Sequence, residues 1–501
     1  MQKLKFFING EWRESKTDKY YDIYNPSTGE VIAQTPCCTK EEVEEAVQAA
    51  KDAFESWAAI PVMKRVQILY KFRDLLDQRM DELTEILCKE HGKNWAEGQG
   101  DLLKVKEPVE LACSAPLLMM GESLMNTSTG YDTVLYREPL GVFAGIAPFN
   151  FPGMIPMGWM VPLCIATGNT MVLKASSTTP MTSYKLAELF VEAGLPKGVL
   201  NIVTSSRNEA EILLSHPDVK GISFVGSTSV GLHVYSTGAA HGKRVQALCE
   251  AKNHALVLED CVLERSVRGI INSAFGCAGE RCMALPTICV QESIADKFVA
   301  KLTEVAKELK IGPAYDKTTD LGPVVTADHR KYVEGWIQKG IDEGAKLVLD
   351  GRGVSVPGYE NGFYMGPTIF DYVTEEMEVG QKEIFGPVLC IKRVKDFEEG
   401  ITIMNANEFA NGSVIYTSSG YYSREFARRT DGGMVGINVG VPVPVGLFPF
   451  NGHKRSFFGD LHTLGKDGVK FFTDAKVVTS TWFTEEDNKA KVDTWDGSVV
   501  K

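Results

Sequence analysis

Between Thr39 and about residue 86, apolar residues return every third or fourth position, the spacing of one buried helix face. Thr39 followed by Glu42 opens this region as a capping box, so a helix is predicted to start there. Ahead of it, Asn9-Gly10 between apolar residues predicts a tight hairpin, and Tyr24–Glu30 a second turn. Beyond Leu135 the pattern changes. Short apolar runs at Gly141–Ala147, Thr170–Leu173, Val199–Val203 and Gly221–Val225 read as strands, with helices at Thr182–Ala193 and Asn208–Ser215 between them. The alternation resumes after Cys282 with strands at Thr287–Val290 and Val388–Val394 and a helix at Ile294–Leu309. Strand–helix–strand order of this kind predicts an α/β protein, a parallel sheet covered by helices. Val469–Ser480 has the alternating, β-rich composition of a strand, and the polar Thr484–Lys501 reads as a frayed terminus.

Composition narrows the function classes. At roughly 150 residues per domain, the 501-residue chain has room for about three domains, with no repeat or low-complexity linker dividing it. The net charge of −12 disfavours a phosphate backbone as partner. Eleven scattered cysteines form neither a disulfide framework nor a CxxC pair, which points to a reducing, cytoplasmic compartment and to no metal site. Met154–Leu173 is the one apolar run to weigh as a membrane span. Pro156, Gly158, Pro162, Gly168 and Asn169 break it short of the ~20 residues required.

Three short motifs carry chemistry. Cys282 ends the run FGCAGERC from Phe275, where small residues allow a tight turn and Arg281 would favour the nucleophilic thiolate. A buried structural cysteine is the plainer alternative. Asn150, between Pro148 and Pro152, follows a strand at the end where α/β sites lie, and a fixed amide there suits an oxyanion hole as well as a turn. Gly226-Ser227 lies between a strand and a helix, offering N–H groups and a hydroxyl to phosphate, although such a pair is frequent by chance.

In order and spacing these motifs resemble the aldehyde dehydrogenase superfamily over nearly the whole chain. Leu173-Lys174, the run 193–198 (AGLPKG), Glu383–Pro387 (EIFGP) and Phe448-Pro449-Phe450 agree. PFNFP at 148–152, Ala278–Ala284 (AGERCMA), Ala251–His254 (AKNH) and the run from Gly436 (GINVGVPVPVGLFPFNG) resemble its CoA-acylating malonate/methylmalonate-semialdehyde branch. The resemblance implies that Cys282 attacks the aldehyde, that Asn150 and the Cys282 N–H hold the oxyanion, and that a thioester remains after hydride transfer. Lys174 and Glu383 match positions that hold the cofactor's ribose hydroxyls. Ile146, Ala147, Phe149, Ser177, Thr178, Ser227, Cys249 and Phe385 match cofactor-lining positions, and Arg281 and Lys104 match substrate-binding ones.

The departures are informative. The hydrolytic members carry a glutamate base in a Glu-Leu-Gly-Gly-Lys run, and Leu248 stands at that glutamate here. That fits a thioester kept for CoA, whose thiol ionises far more readily than water. Glu250 replaces a glycine, either as a substitute base or as a solvent-facing carboxylate, and Cys249 is a disulfide candidate for Cys282. Ser177 replaces the glutamate that disfavours a 2′-phosphate, so NAD is favoured with NADP left open, no new arginine being evident there. Lys104 replaces an arginine and lacks its bidentate fork. Gly158 adds one residue to the helix after PFNFP, which a π-bulge would absorb.

The resemblance implies a Rossmann-like NAD(P)-binding domain from 1–123, 141–250 and 446–465, and an α/β catalytic domain from 251–445. It also implies a β oligomerisation arm from 124–140 and 466–484, and a homodimer or homotetramer, with 485–501 as a polar tail. The expected function is NAD-dependent oxidation of a short semialdehyde to its acyl-CoA. Its rivals are a hydrolytic dehydrogenase releasing a free acid and a non-catalytic cofactor-binding homologue.

Overall fold

The computed structural model describes residues 2–483, 491–492 and 499–500. Thr39 caps the helix Lys40–Ala58 with the reciprocal Glu42 bond, and Asn9 and Gly10, both left-handed, turn the hairpin Phe6–Ile8/Glu11–Arg13. A second capping box, Asn94 with Glu97, opens α1 (Trp95–Cys113).

The strands β1 (Val142–Ile146), β2 (Thr170–Lys174) and β3 (Val219–Val225) follow. Beyond β3 come the helix α2 (Thr228–Ala240) and β4 (Arg244–Leu248). In the eight-stranded sheet the order is Phe457–Phe458, β4, β3, β1, β2, Leu200–Val203, then the hairpin. The five inner strands are parallel, and the hairpin and Phe457–Phe458 add antiparallel edges. The chain builds outward from β1 through β2, then returns to lay β3 on β1's other side. That reversal opens a crevice beyond the carboxyl ends of β1 and β3.

A seven-stranded sheet, mostly parallel, takes the chain from His254–Val257 to Met434–Ile437. A separate three-stranded sheet joins Ser123–Ser128, Tyr131–Pro139 and Thr473–Thr481. The strand expected at Val469–Ser480 therefore starts late, since Val469–Phe471 closes the helix Gly465–Phe471. Val469, Phe471 and Phe472 are all buried, Phe471 and Phe472 against Phe143, and an alternating strand could not bury neighbouring residues together on one face.

After Asn150 a π-helical segment, Ile155–Met160, leads into Val161–Ala166, so the added residue is absorbed as a π-helix. Gly158 sits where a Cβ would come within 3.2 Å of the Lys104 carbonyl on α1. Among the described residues no helix is long and apolar enough to cross a membrane. The polar tail 485–501 lies outside the described residues, apart from the paired Lys491–Val492 and Val499–Val500.

Candidate active site

Two cavities hold half of the candidate site residues. The first, of about 280 Å³, lies in the crevice past β1 and β3. Ile146, Ala147, Lys174 and Ser227 line it with apolar Leu214, Phe224 and Val234. Arg207, Glu211 and His233 also line it and carried no sequence signal. Arg207 brings an arginine to this crevice, whose walls do not include Ser177 or Thr178. His233 Nε2 lies 2.8 Å from Glu211, whereas neither Lys174 nor Arg207 has a carboxylate partner among the described residues. Burial holds the Lys174 ammonium below its ordinary pKa. Two unpaired cations beside apolar walls fit the phosphates and flat base of a dinucleotide.

The second cavity, about 470 Å³, is walled by α1 on one side and by the Cys282 loop on the other. Cys282, Arg281 and Lys104 face it with Glu97, Asp101, Cys277, Phe151, Trp159 and Phe450. The loop is strained. After the helix Leu263–Phe275, Cys277 and Ala278 both have φ of 51° before Gly279 at 75°. A Cβ on Gly279 would lie 2.1 Å from the Gly386 carbonyl, so only glycine fits. Glu97 accepts the Cys277 N–H at 2.7 Å and stabilises this turn. Asn253 Nδ2 donates to the Cys282 carbonyl at 2.8 Å, with Asn411 Nδ2 at 3.4 Å, so the Cys282 backbone is fixed from outside its own loop.

Arg281 lowers the Cys282 pKa as expected, but only slightly, and its hydrogen bonds go elsewhere. Its Nε donates to Cys277 Sγ at 3.1 Å and its terminal nitrogen pairs with Glu97 at 3.4 Å. Burial pushes the Cys282 thiol up to about 12, Glu383 adds to the rise, and Arg281 is a minor opposing influence. The guanidinium bonds a different sulfur, and burial favours the thiol form of Cys282. Lys104 is likewise matched at 2.9 Å by Glu107, one turn along α1, which leaves less free charge for a substrate carboxylate.

Asn150 is buried and its Nδ2 donates to the Glu280 carbonyl at 3.1 Å, two residues before Cys282. The amide's second N–H remains for another acceptor. Beneath it lies a buried polar group that sequence reasoning missed. Lys93 pairs with Asp101 at 2.9 Å and sits 3.4 Å from the Phe151 ring centre, while Asp101 also accepts the Met154 N–H at 2.7 Å. Burial raises the Glu280 carboxyl well above its ordinary pKa.

Other expected cofactor positions lie outside both cavity walls. Phe149 packs edge-on against Phe385, whose carbonyl accepts from His329 Nε2 at 2.6 Å. Ser177 and Thr178 are half-buried beyond the crevice. Glu383 accepts the Ala251 N–H at 3.1 Å, and burial pushes its carboxyl up to about 8. Cys249 is turned away: its sulfur packs in the core against Gly231 of α2, whereas Cys282 abuts a different cluster. Both thiols are free, and they pack in different clusters. Glu250 is half-buried and does not reach the Cys282 cavity wall. Its Oε2 accepts the Thr228 N–H at 2.8 Å, at the start of α2.

The aldehyde dehydrogenase family profile matches residues 12–478. A malonate-semialdehyde dehydrogenase of Bacillus cereus (strain G9842) is 50% identical over 483 residues, covering 96% of this chain and 99% of the relative. One from Bacillus subtilis subsp. natto is 50% identical over 481 residues, covering 96% and 98%. Among solved structures, the methylmalonate-semialdehyde dehydrogenase of Oceanimonas doudoroffii superposes with a TM-score of 0.95 at 42% identity, covering 97% of this chain and 99% of that one. A Sinorhizobium meliloti 1021 chain, named provisionally as the same enzyme and complexed with NAD, gives 0.95 at 41% with the same coverage.

Proposed function

The chain belongs to the aldehyde dehydrogenase family, and from that premise we propose that it oxidises a short-chain semialdehyde with NAD and passes the acyl group from Cys282 to coenzyme A. NAD fits the crevice past β1 and β3, where Lys174, Arg207 and Ser227 meet apolar walls; when bound, it accepts the hydride. Ser177 and Arg207 leave NADP as a competing cofactor. Cys282, once deprotonated, attacks the aldehyde carbon, and the free Asn150 N–H with the Cys282 backbone N–H takes the developing oxyanion. Loss of hydride leaves the thioester on Cys282. The CoA thiolate then attacks that carbonyl, and Cys282 leaves as thiolate.

The observation that carries CoA over water is the absence of a free base at the position where hydrolysis needs one. Leu248 is 4% exposed and packed in the core, and the neighbouring carboxylates are engaged, Glu250 by Thr228 and Glu383 by Ala251. The relatives' names support malonate or methylmalonate semialdehyde as the substrate class, with Arg281 and Lys104 as the cations that line the Cys282 cavity.

The same reading groups 1–123, 141–250 and 446–465 as the cofactor domain, 251–445 as the catalytic domain, and 124–140 with 466–484 as an oligomerisation arm. Leu124, Met125 and Val477 are exposed on that arm, as a surface awaiting a second subunit would be. We place the enzyme in the cytoplasm as a homodimer or homotetramer. The test is NAD reduction with malonate semialdehyde and with propanal, each with and without CoA, the product identified by mass. Acyl-CoA formed only with CoA supports the proposal. Free acid released at the same rate without CoA overturns it in favour of hydrolysis.

A further inference from the structure

Glu250 lies two residues past β4, and its backbone is held at both ends. Its N–H donates to Thr228 Oγ1 at 3.3 Å and its carbonyl accepts from Ser456 Oγ at 2.7 Å. Only the side chain is free to turn, and its carboxylate accepts the first N–H of α2. Ser227 is the residue placed to cap that 13-residue helix, yet its hydroxyl makes no cap bond, and no acidic residue lies in the first turn. A charge from the segment past β4 has taken the capping role.

The same helix start forms a wall of the cofactor crevice, through Gly226, Ser227 and Val230. A dinucleotide's diphosphate is drawn to such a helix start by its N–H groups and dipole, and it would meet the carboxylate already there. Glu383 shares this acidic neighbourhood, since Glu250 adds to the rise of its carboxyl pKa after burial. Building on the nicotinamide-cofactor reading above, we propose that Glu250 is a resident anion which the diphosphate must displace from α2. It thereby sets how tightly the cofactor is held and how fast it leaves, and does no acid–base work on the thioester. Displacement needs only side-chain rotation, because the backbone bonds persist.

The test compares dissociation constants and release rates of NAD, NADH and adenosine for the native chain and Glu250→Gln, which keeps an acceptor for Thr228 without the charge. Removing one like charge at a helix start corresponds to about tenfold tighter binding of NAD and NADH, with slower release. Adenosine, lacking the diphosphate, is expected to bind both proteins alike. Glu250→Ala provides a second variant, melting lower through loss of the cap and still binding NAD more tightly. Unchanged NAD constants in both variants, or equal tightening of adenosine, would overturn the proposal and leave Glu250 a simple cap. Failure of every ligand to bind either protein would instead overturn the cofactor reading, and this inference with it.

Discussion

Asp101→Ala is the sharpest test of how the site is supported. Asp101 and Lys93 are both fully buried and 2.9 Å apart. Burial pushes the Asp101 carboxyl above its ordinary pKa, while Lys93 pulls it down. Removing the carboxylate strands an ammonium in the interior, a loss of about 3–5 kcal/mol. It also frees the Met154 N–H, an unmet buried donor worth about 1–3 kcal/mol. The two losses share one atom group and overlap, so the expected total is about 4 kcal/mol. Replacing both partners by apolar residues of similar size, Lys93→Met with Asp101→Leu, strands no charge and is expected to cost less than Asp101→Ala alone. The assay is urea unfolding of native, single and double variants, with the midpoint shift read at constant slope. A parallel reading of kcat checks Asn150, because the pair packs on Phe151 and Met154 beside it. A loss below about 1 kcal/mol for Asp101→Ala, or a double variant equal to the sum of both singles, would refute the reasoning.

Asn150→Ala is expected to lower kcat about 100- to 1000-fold while alkylation of Cys282 by iodoacetamide persists; full activity would remove Asn150 from the oxyanion site. Glu383 gives a pH signature. With its carboxyl raised to about 8, the native state holds a proton that the unfolded chain releases from about pH 4.3 upward. Its contribution is therefore complete below that lower value and lost as pH rises to about 8. The advantage of Glu383→Gln in urea midpoint should grow from pH 5 to 8 and then level, and a pH-independent difference would contradict the assignment. Gly158→Ala brings a Cβ to 3.2 Å from the Lys104 carbonyl and Val105 Cα. It should cost about 1–3 kcal/mol by overpacking, read by thermal melting, and an unchanged melting curve would mean that α1 yields.

What could be read from the chain alone was local or periodic. Thr39 with Glu42 and Asn9-Gly10 act through bonds within four residues, so their outcome does not wait on the rest of the fold. The strand–helix alternation from 141 to 225 predicts parallel pairing because an intervening helix forces the next strand to run the same way. The residue added at Gly158 signalled a π-helix for an equally local reason. Cys282 and Asn150 were singled out as candidates by their neighbours in the chain, and Lys174 only by the family resemblance.

Tertiary structure decided where charges found partners. Arg281 precedes Cys282 in the chain, yet its guanidinium bonds Cys277 and Glu97, a residue 184 positions away. Glu250 was open between base and solvent, and it caps a helix 22 positions earlier in the chain. Val469–Phe471 alternates like a strand, but burial against Phe143 makes it helical. Phe457–Phe458 completes the edge of a sheet begun by the N-terminal hairpin. No periodicity encodes such pairings. A buried charge must be matched by whichever group the fold brings within a few ångströms, and that group is set by three-dimensional packing, not by its distance along the chain.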